Sequence, residues 1–146
     1  MAARLRGDVC RVRLRNEGVR DLNVVEGGEW AAEFGKGTVR SGGHDLQTSQ
    51  PPERTRTRVD TAFELETSDE PPAILEMRTR GYMAYEPDSL PKIAAGTEDP
   101  ERYAFRMVMT LRTEDERYAE RVNLGLWLGC GVWKGRELVL DAYAVS

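Results

Sequence analysis

Residues 55–80 read TRTRVDTAFELETSDEPPAILEMRTR. In both halves of this stretch, small or apolar side chains alternate with charged ones, which is the pattern of a strand with one buried face. The first half places five such side chains on one face: Thr57, Val59, Thr61, Phe63 and Leu65. Between the halves, Pro71 and Pro72 cannot donate hydrogen bonds to a strand ladder, so they predict a turn. The stretch therefore predicts a long antiparallel hairpin.

The same alternation recurs along the rest of the chain. It predicts further strands over residues 10–14, 30–34, 103–111, 122–130 and 138–145. Turns are predicted at Gly27-Gly28, at 113–117 and at Lys134-Gly135. The helical signal falls on residues 90–95, where Pro91 suits a first turn of helix and Gly96 suits its end.

These signals predict an all-β protein of about eight to ten strands, joined mostly by short turns. Such a chain either folds into a sandwich or closes into a barrel. We favour a single closed or nearly closed antiparallel β-barrel, lipocalin-like, because closure removes exposed strand edges and because long strands must coil. The expected domain spans residues 1–146 and carries one short helix near residues 90–95.

Composition argues against several classes of protein. The 146 residues suit one domain, and 25 acidic against 21 basic residues give a net charge of −4. That charge counts against sequence-independent binding of nucleic acid, and no apolar stretch approaches the roughly eighteen residues of a membrane helix. One strand face carries three arginines, Arg54, Arg56 and Arg58. This face could contact phosphates, but we favour the alternative that it contacts neighbouring acidic side chains and water. Since the first twenty residues lack a secretory signal, we expect a cytoplasmic protein.

Residue types for metal, nucleotide or triad chemistry are scarce in this sequence. His44 is the one histidine, and the two cysteines, Cys10 and Cys130, are far apart. Neither a zinc-site spacing nor a phosphate-binding glycine loop occurs. A serine triad would have to recruit His44, and its surroundings lack the nucleophile-elbow pattern. We therefore expect no metal and no cofactor.

A histidine and a carboxylate lie side by side after two glycines. Residues 40–46 read RSGGHDL. Neighbours on a strand point to opposite faces, so at most one of His44 and Asp45 enters a barrel. An Asp45 carboxylate inside an apolar barrel would have a raised pKa and would suit general acid–base work. The alternative is that Asp45 caps the Gly42-Gly43 turn and binds backbone amides.

Asn123 poses a similar choice between a cavity and a surface. It shares a predicted strand face with Gly125 and Trp127, whereas the opposite face is aliphatic: Val122, Leu124, Leu126 and Leu128. A polar amide, a small residue and a large aromatic are typical of a ligand cavity. The alternative is a surface face with an exposed Trp127.

The ordered set of motifs resembles the domain-of-unknown-function 3237 (DUF3237) family over about residues 24–145. The motifs are Gly27-Gly28, Gly35-x-Gly37, Gly42-Gly43-x-Asp45, Thr67-x-Asp69, Arg80-Gly81, the 91–96 helical turn, Tyr103-x-Phe105-Arg106, Tyr118, Asn123, Gly129 and Gly131. The resemblance implies a small β-barrel. Some members act in fungal natural-product pathways, where the activity is cofactor-free ring closure that adds a phenol oxygen across an alkene. Leu46 replaces an aromatic residue that is common in the family, which puts the substrate in question.

On this resemblance we hypothesise a cofactor-independent cyclase or isomerase of secondary metabolism, acting by hydroalkoxylation on a prenylated aromatic polyketide. Asp45 would be the acid–base group, Arg106 would stabilise the oxyanion and Asn123 would orient the substrate. Five further residues would bind the substrate: His44, Phe63, Tyr103, Phe105 and Trp127. The expected partner is a small aromatic or hydrophobic molecule, and we also consider a homodimer. The alternative is a barrel that binds or carries a hydrophobic ligand without changing it.

Overall fold

Nine antiparallel strands account for most of the chain described by the computed structural model, which covers residues 8–16, 22–49 and 55–145. In chain order they are β1 (Val9–Asn16), β2 (Leu22–Ala32), β3 (Gly35–Val39), β4 (His44–Ser49), β5 (Arg56–Thr67), β6 (Ile74–Tyr85), β7 (Tyr103–Arg112), β8 (Trp127–Lys134) and β9 (Glu137–Ala144). Helix α1 (Leu90–Ala94) follows β6, and helix α2 (Glu116–Asn123) follows β7. Short 3-10 turns occupy Pro87–Ser89 and Pro100–Arg102.

The strands close into a ring. β1 pairs with β9 on one side and with β2 on the other, and the ring continues from β9 through β8, β7 and β6 to β5. β3 and β4 lie one after the other between β5 and β2, because β5 pairs with β4 through residues 57–62 and with β3 through residues 65–67. Nine strands therefore fill eight positions of a closed antiparallel barrel. This confirms the predicted fold, including the short helix at 90–95.

The hairpin predicted at residues 55–80 is confirmed as β5 and β6. Residues directly opposite each other in an antiparallel pair point to the same side. The predicted inner face is accordingly buried, and Val59, Leu65 and Leu75 are at most 1% exposed. Full burial of one aliphatic side chain contributes about 1.5–3 kcal/mol. The alternating apolar rows of the barrel strands therefore supply its core.

Charged side chains occupy the outer face of the same strands. Asp60 forms ion pairs with Arg58 at 3.0 Å and with Arg80 at 3.4 Å, and Arg40 lies 3.3 Å from Glu64. Exposed pairs of this kind contribute about 0–1 kcal/mol each. Of the three arginines at positions 54, 56 and 58, Arg58 thus pairs with a neighbouring acid, as predicted. Arg54 lies outside the described residues.

One predicted turn is wrong because it is a bulge within a strand. Gly27 and Gly28 lie inside β2, where Arg13 pairs with Gly27 but Leu14 pairs with Val25. Glu26 is therefore an extra residue in β2. A bulge bends a strand without ending it, and glycine accommodates the bend.

The predicted turn at 113–117 and the predicted strand start at 122 are also wrong, because residues 116–123 form α2 and β8 begins at Trp127. Asp115 caps the helix, since its Oδ1 accepts a hydrogen bond of 2.9 Å from the N–H of Arg117. Val122 is buried inside this helix, whereas Leu124 beyond it is 87% exposed. The apolar alternation at 122–126 therefore runs across the end of a helix.

The two helices lie at opposite ends of the barrel. The N–H of Gly135, in the β8–β9 turn, donates to the carbonyl of Gly96 just after α1 at 3.1 Å. At the other end, the Tyr118 hydroxyl on α2 donates to Asp69 in the β5–β6 turn, and the Asn123 amide bonds to both backbone groups of Thr113. Within the described ranges, neither helix is long and apolar enough to cross a membrane. The cytoplasmic location stays a prediction.

Replacing Tyr118 by phenylalanine tests this anchor of α2. The hydrogen bond from Tyr118 lowers the pKa of Asp69 because it stabilises the carboxylate. We expect Tyr118→Phe to raise that pKa toward its ordinary value of 3.8. The pKa of Asp115, which is lowered by its hydrogen bond from Arg117, should not move and is the internal control. NMR titration of the carboxyl carbons measures both, and an unmoved Asp69 would contradict the anchor.

Candidate functional site

A cavity of about 440 Å³ opens at the end of the barrel that carries α1. Its apolar wall consists of Leu14, Met83, Leu90, Ile93 and Trp133. Its polar lining comes from the amides of Asn16, Asn23 and Gln47 and, at the β8–β9 turn, from Arg136. Apolar walls with a few convergent polar groups, at this volume, are typical of small-molecule sites.

Asp45 lies inside the barrel next to this polar lining. Its Oδ2 accepts hydrogen bonds of 2.9 Å from Asn23 Nδ2 and of 2.9 Å from Gln47 Nε2. The carboxylate is 0% exposed, and Oδ1 lacks a partner in the described part of the chain. Since burial disfavours the charged form, the pKa of Asp45 is raised, although both amides and the charge of His44 act against this rise. Of the two interpretations of Asp45, the structure supports the interior carboxylate over the turn cap.

The register explains how these groups meet. Asp45 in β4 pairs directly with Asn23 in β2 and with Thr61 in β5, so the three side chains point inward together. Gln47 lies two positions after Asp45 and therefore shares its face. Next along the ring, the hydroxyls of Thr61 and Thr79 bond at 2.5 Å. One side of the barrel interior thus carries two neighbouring hydrogen-bonded polar groups.

A sequence model of the family described as "Protein of unknown function (DUF3237)" matches residues 2–145 of the chain. The chain belongs to this family. The match covers the cavity, Asp45 and both helices of this DUF3237 protein. A search of curated proteins finds no match.

Three solved structures have similar folds over all of this DUF3237 chain. A conserved protein of unknown function from Rhodopseudomonas palustris is 22% identical, with a TM-score of 0.85 and 97% of its chain covered. A β-barrel-like protein from Acinetobacter baumannii AYE is 20% identical, with a TM-score of 0.71 and 96% covered. A protein from Penicillium herquei, described as an enzyme, is 15% identical, with a TM-score of 0.58 and 96% covered. At these identities the similarity establishes the fold alone.

Tyr103 and Phe105 of the DUF3237 barrel act on the cavity through Trp133. The Phe105 and Trp133 rings stack with centroids 6.4 Å apart, and the N–H of Trp133 donates to the Tyr103 hydroxyl at 2.9 Å. Burial raises the pKa of Tyr103. These two predicted binding residues therefore hold a wall residue of the cavity in place.

Four other predicted site residues do not line the α1-end cavity in the DUF3237 fold. His44 is exposed on the outer face of β4, and Arg106 is exposed on the outer face of β7. Asn123 lies on α2 at the far end, where its amide is occupied by Thr113. Phe63 is buried on the inner face of β5. The structure thus brings neither Arg106 nor Asn123 to the buried carboxylate.

Trp127 lines a second, much smaller cavity at the α2 end. This space of about 40 Å³ is bordered by Trp30, Phe34 and Cys10 as well as by Trp127. Asp8 also borders it, and one of its oxygens accepts a hydrogen bond of 3.0 Å from the N–H of Glu33. Burial raises the pKa of Asp8 and raises that of the Cys10 thiol to about 12. By the same measure it is about a tenth of the volume of the cavity at the α1 end.

Sequence reasoning missed Asn16, Asn23, Gln47, Trp133 and Arg136 as cavity residues. One signal was available, because Asp45 and Gln47 lie two positions apart and must share a strand face. Asn23 reaches Asp45 only through the β2–β4 pairing, which is a long-range register. Trp133 and Arg136 join the site because barrel closure places the β8–β9 turn beside α1.

Proposed function

We propose that the protein is a cofactor-independent enzyme that closes a ring in, or isomerises, a small aromatic and largely hydrophobic molecule held in the α1-end cavity. In its specific form, the phenol oxygen of a prenylated aromatic polyketide adds to an alkene of the same molecule. The observation that carries this proposal is the buried Asp45 carboxylate, held by Asn23 and Gln47 at the edge of a cavity with apolar walls. The description of the Penicillium herquei protein as an enzyme is compatible with it.

The reaction needs one group that both accepts and returns a proton. Asp45 takes the phenol proton while the phenol oxygen bonds to one alkene carbon, and the proton is delivered in the same step to the other alkene carbon. The product is an isomer of the substrate, so no co-reactant is consumed. The raised pKa of Asp45 suits both proton transfers, and such catalysis contributes about 10²–10⁴ in rate.

Arg136 takes the anion-stabilising role that was predicted for Arg106. Arg136 is a lining residue of the cavity, and its guanidinium pairs with Glu26 at 3.5 Å on the exposed surface. Exposed pairs at this distance are weak, so a phenolate can compete for the guanidinium. The Asn23 amide donates one hydrogen to Asp45 and has a second one to donate to the substrate.

A second candidate function is that of a carrier, which binds the ligand and leaves it unchanged. The observation in its favour is that Asp45 is 0% exposed, with the Asn23 and Gln47 amides as its partners. For catalysis by direct contact, the Gln47 side chain has to move aside when the substrate binds. For a carrier no such movement is needed.

Incubation with a panel of prenylated phenols separates the two functions. The enzyme predicts a product of unchanged mass and new chromatographic retention, formed at a rate proportional to protein concentration. Saturable one-to-one binding by calorimetry, with no isomer from any member of the panel, would establish the carrier instead.

A larger side chain at Ala94 is expected to block the cavity. Ala94 lines it from α1, whereas the adjacent Ala95 ends the helix and is not among the lining residues. We expect Ala94→Trp to weaken ligand binding about tenfold or more, because an indole occupies much of the available volume. Ala95→Trp, the matched control, should change the Kd less than about twofold. Calorimetric titration measures both, and equal effects would place the ligand elsewhere.

A further inference from the structure

We propose that the outer face of β7, β8 and β9 is the interface of a two-fold symmetric homodimer. Exposed apolar side chains concentrate on this face and at its edge. Among the described residues, seven large apolar side chains are markedly exposed, and five of them belong to this region: Val108, Leu124, Leu126, Leu128 and Val145. A contiguous apolar patch on a barrel exterior is typical of a protein–protein contact.

The strand register places the patch around the centre of β8. Leu128 in β8 lies between Val108 in β7 and Tyr143 in β9. One step along β8, Cys130 lies between Arg106 in β7 and Asp141 in β9. Opposite charges therefore flank the middle strand at the same height, next to an apolar row.

This arrangement is complementary to a second copy of itself. If two such faces pack with the two-fold axis along β8, β7 of one copy lies over β9 of the other. Arg106 of each copy then lies opposite Asp141 of the other, while Leu128 meets Leu128. With the axis across the strands at Cys130 instead, Arg106 would face Arg106 and Asp141 would face Asp141, which repel. With the axis across the strands at Leu128, neither charge would meet an opposite charge. The charges thus favour one of the two ways of packing these faces.

The distances suit this pairing. Packed sheets lie about 10 Å apart, which an extended arginine and an aspartate together can span. Within the described part of the chain, neither Arg106 nor Asp141 has an ion pair of its own, so both charges are available. In this dimer Arg106 has a role at the interface, although it does not line the cavity.

The mass in solution tests the dimer. Sedimentation at about 50 μM protein should give twice the chain mass of 16.5 kDa. Leu128→Glu should yield the monomer, because two carboxylates would face each other at the axis. Leu46→Glu is the matched control, since Leu46 is 43% exposed on β4 and Leu128 is 41% exposed. A monomeric wild type, or equal effects of the two variants, would overturn the proposal.

A charge exchange tests the orientation of the two copies. Arg106→Asp and Asp141→Arg should each raise the dimer Kd about tenfold or more, because each creates a like-charge pair. The double variant Arg106→Asp/Asp141→Arg should restore dimerisation, since the pair is only reversed. A short bis-maleimide should join the two copies through Cys130, and Cys130→Ser should abolish the link. Failure of the double variant to recover, with circular dichroism showing a folded barrel, would exclude this axis.

Discussion

Replacing Asp45 by asparagine is expected to lower turnover at least about a hundredfold while the barrel stays folded. Asparagine has almost the same shape, and its carbonyl can still accept hydrogen bonds from Asn23 and Gln47 at the position of Oδ2. It cannot exchange a proton near neutral pH. Asp60→Asn is the matched control, since Asp60 lies on the outer face of the adjacent strand β5 and forms surface ion pairs. Rates with the prenylated phenol panel measure both variants, and full activity of Asp45→Asn would exclude Asp45 as the acid–base group.

The same substitution has a predicted signature in stability against pH. The pKa of Asp45 is raised above its ordinary value of 3.8 by burial. The folded state therefore holds the proton more tightly than the unfolded state does. The stabilising contribution is complete below pH 3.8 and is lost as the pH rises through the folded-state pKa.

Asp45→Asn should therefore flatten the decline in the free energy of unfolding above pH 3.8. Because asparagine does not titrate, the variant should gain stability relative to the wild type as the pH rises above 3.8. Urea unfolding at a series of pH values measures this. The pKa of Asp8 is also raised, so the free energy of unfolding of the variant should still decline with pH, but less steeply. An unchanged slope would mean that Asp45 titrates normally.

Replacing Gly28 by alanine is expected to lower the free energy of unfolding by about 3–5 kcal/mol. Gly28 has a φ of +152°, and a Cβ there would overlap the carbonyl group of Arg11 in β1. The pairing of β1 with β2 closes the barrel, so this overlap strains the closure itself.

Gly42→Ala is the control for backbone strain alone. Gly42 has a φ of +105°, and a Cβ at this position would meet nothing within 4 Å. Its replacement should lower stability by only about 1–3 kcal/mol. Both changes are glycine to alanine, so their effects on the unfolded chain largely cancel in the comparison. Urea denaturation of the two variants gives the difference, and equal losses would show that contact across the closure contributes little.

Part of the candidate site was predictable from local sequence. The alternation through RSGGHDL requires His44 and Asp45 to face opposite ways, and the raised pKa of an interior carboxylate follows from burial. Which of the two faces inward depends on the partners of β4, and the pairing of Asp45 with Thr61 settles it. The strand pleat places Arg106 on the outer face of β7, and α2 carries Asn123 to the opposite end of the barrel, so neither side chain reaches Asp45.

The alternation of apolar side chains is enough to define the class of fold and most inner faces. A period of two in apolar side chains is a local property of the extended backbone, so the hairpin of β5 and β6 and the inward row of β7 can be seen without any partner strand. The start of β8 was predicted wrongly because the alternation at 122–126 is typical of a strand. In the structure, residues up to Asn123 belong instead to the helix that Asp115 caps.

The position and the lining of the cavity depend on contacts between distant parts of the chain. Closure of β1 on β2, together with the bulge at Glu26, sets the register that brings Asn23 to Asp45. The contact of Gly135 with Gly96 brings α1 and Trp133 to the same end. These are pairings between residues far apart in the chain, and their register depends on the whole ring closing without exposed edges.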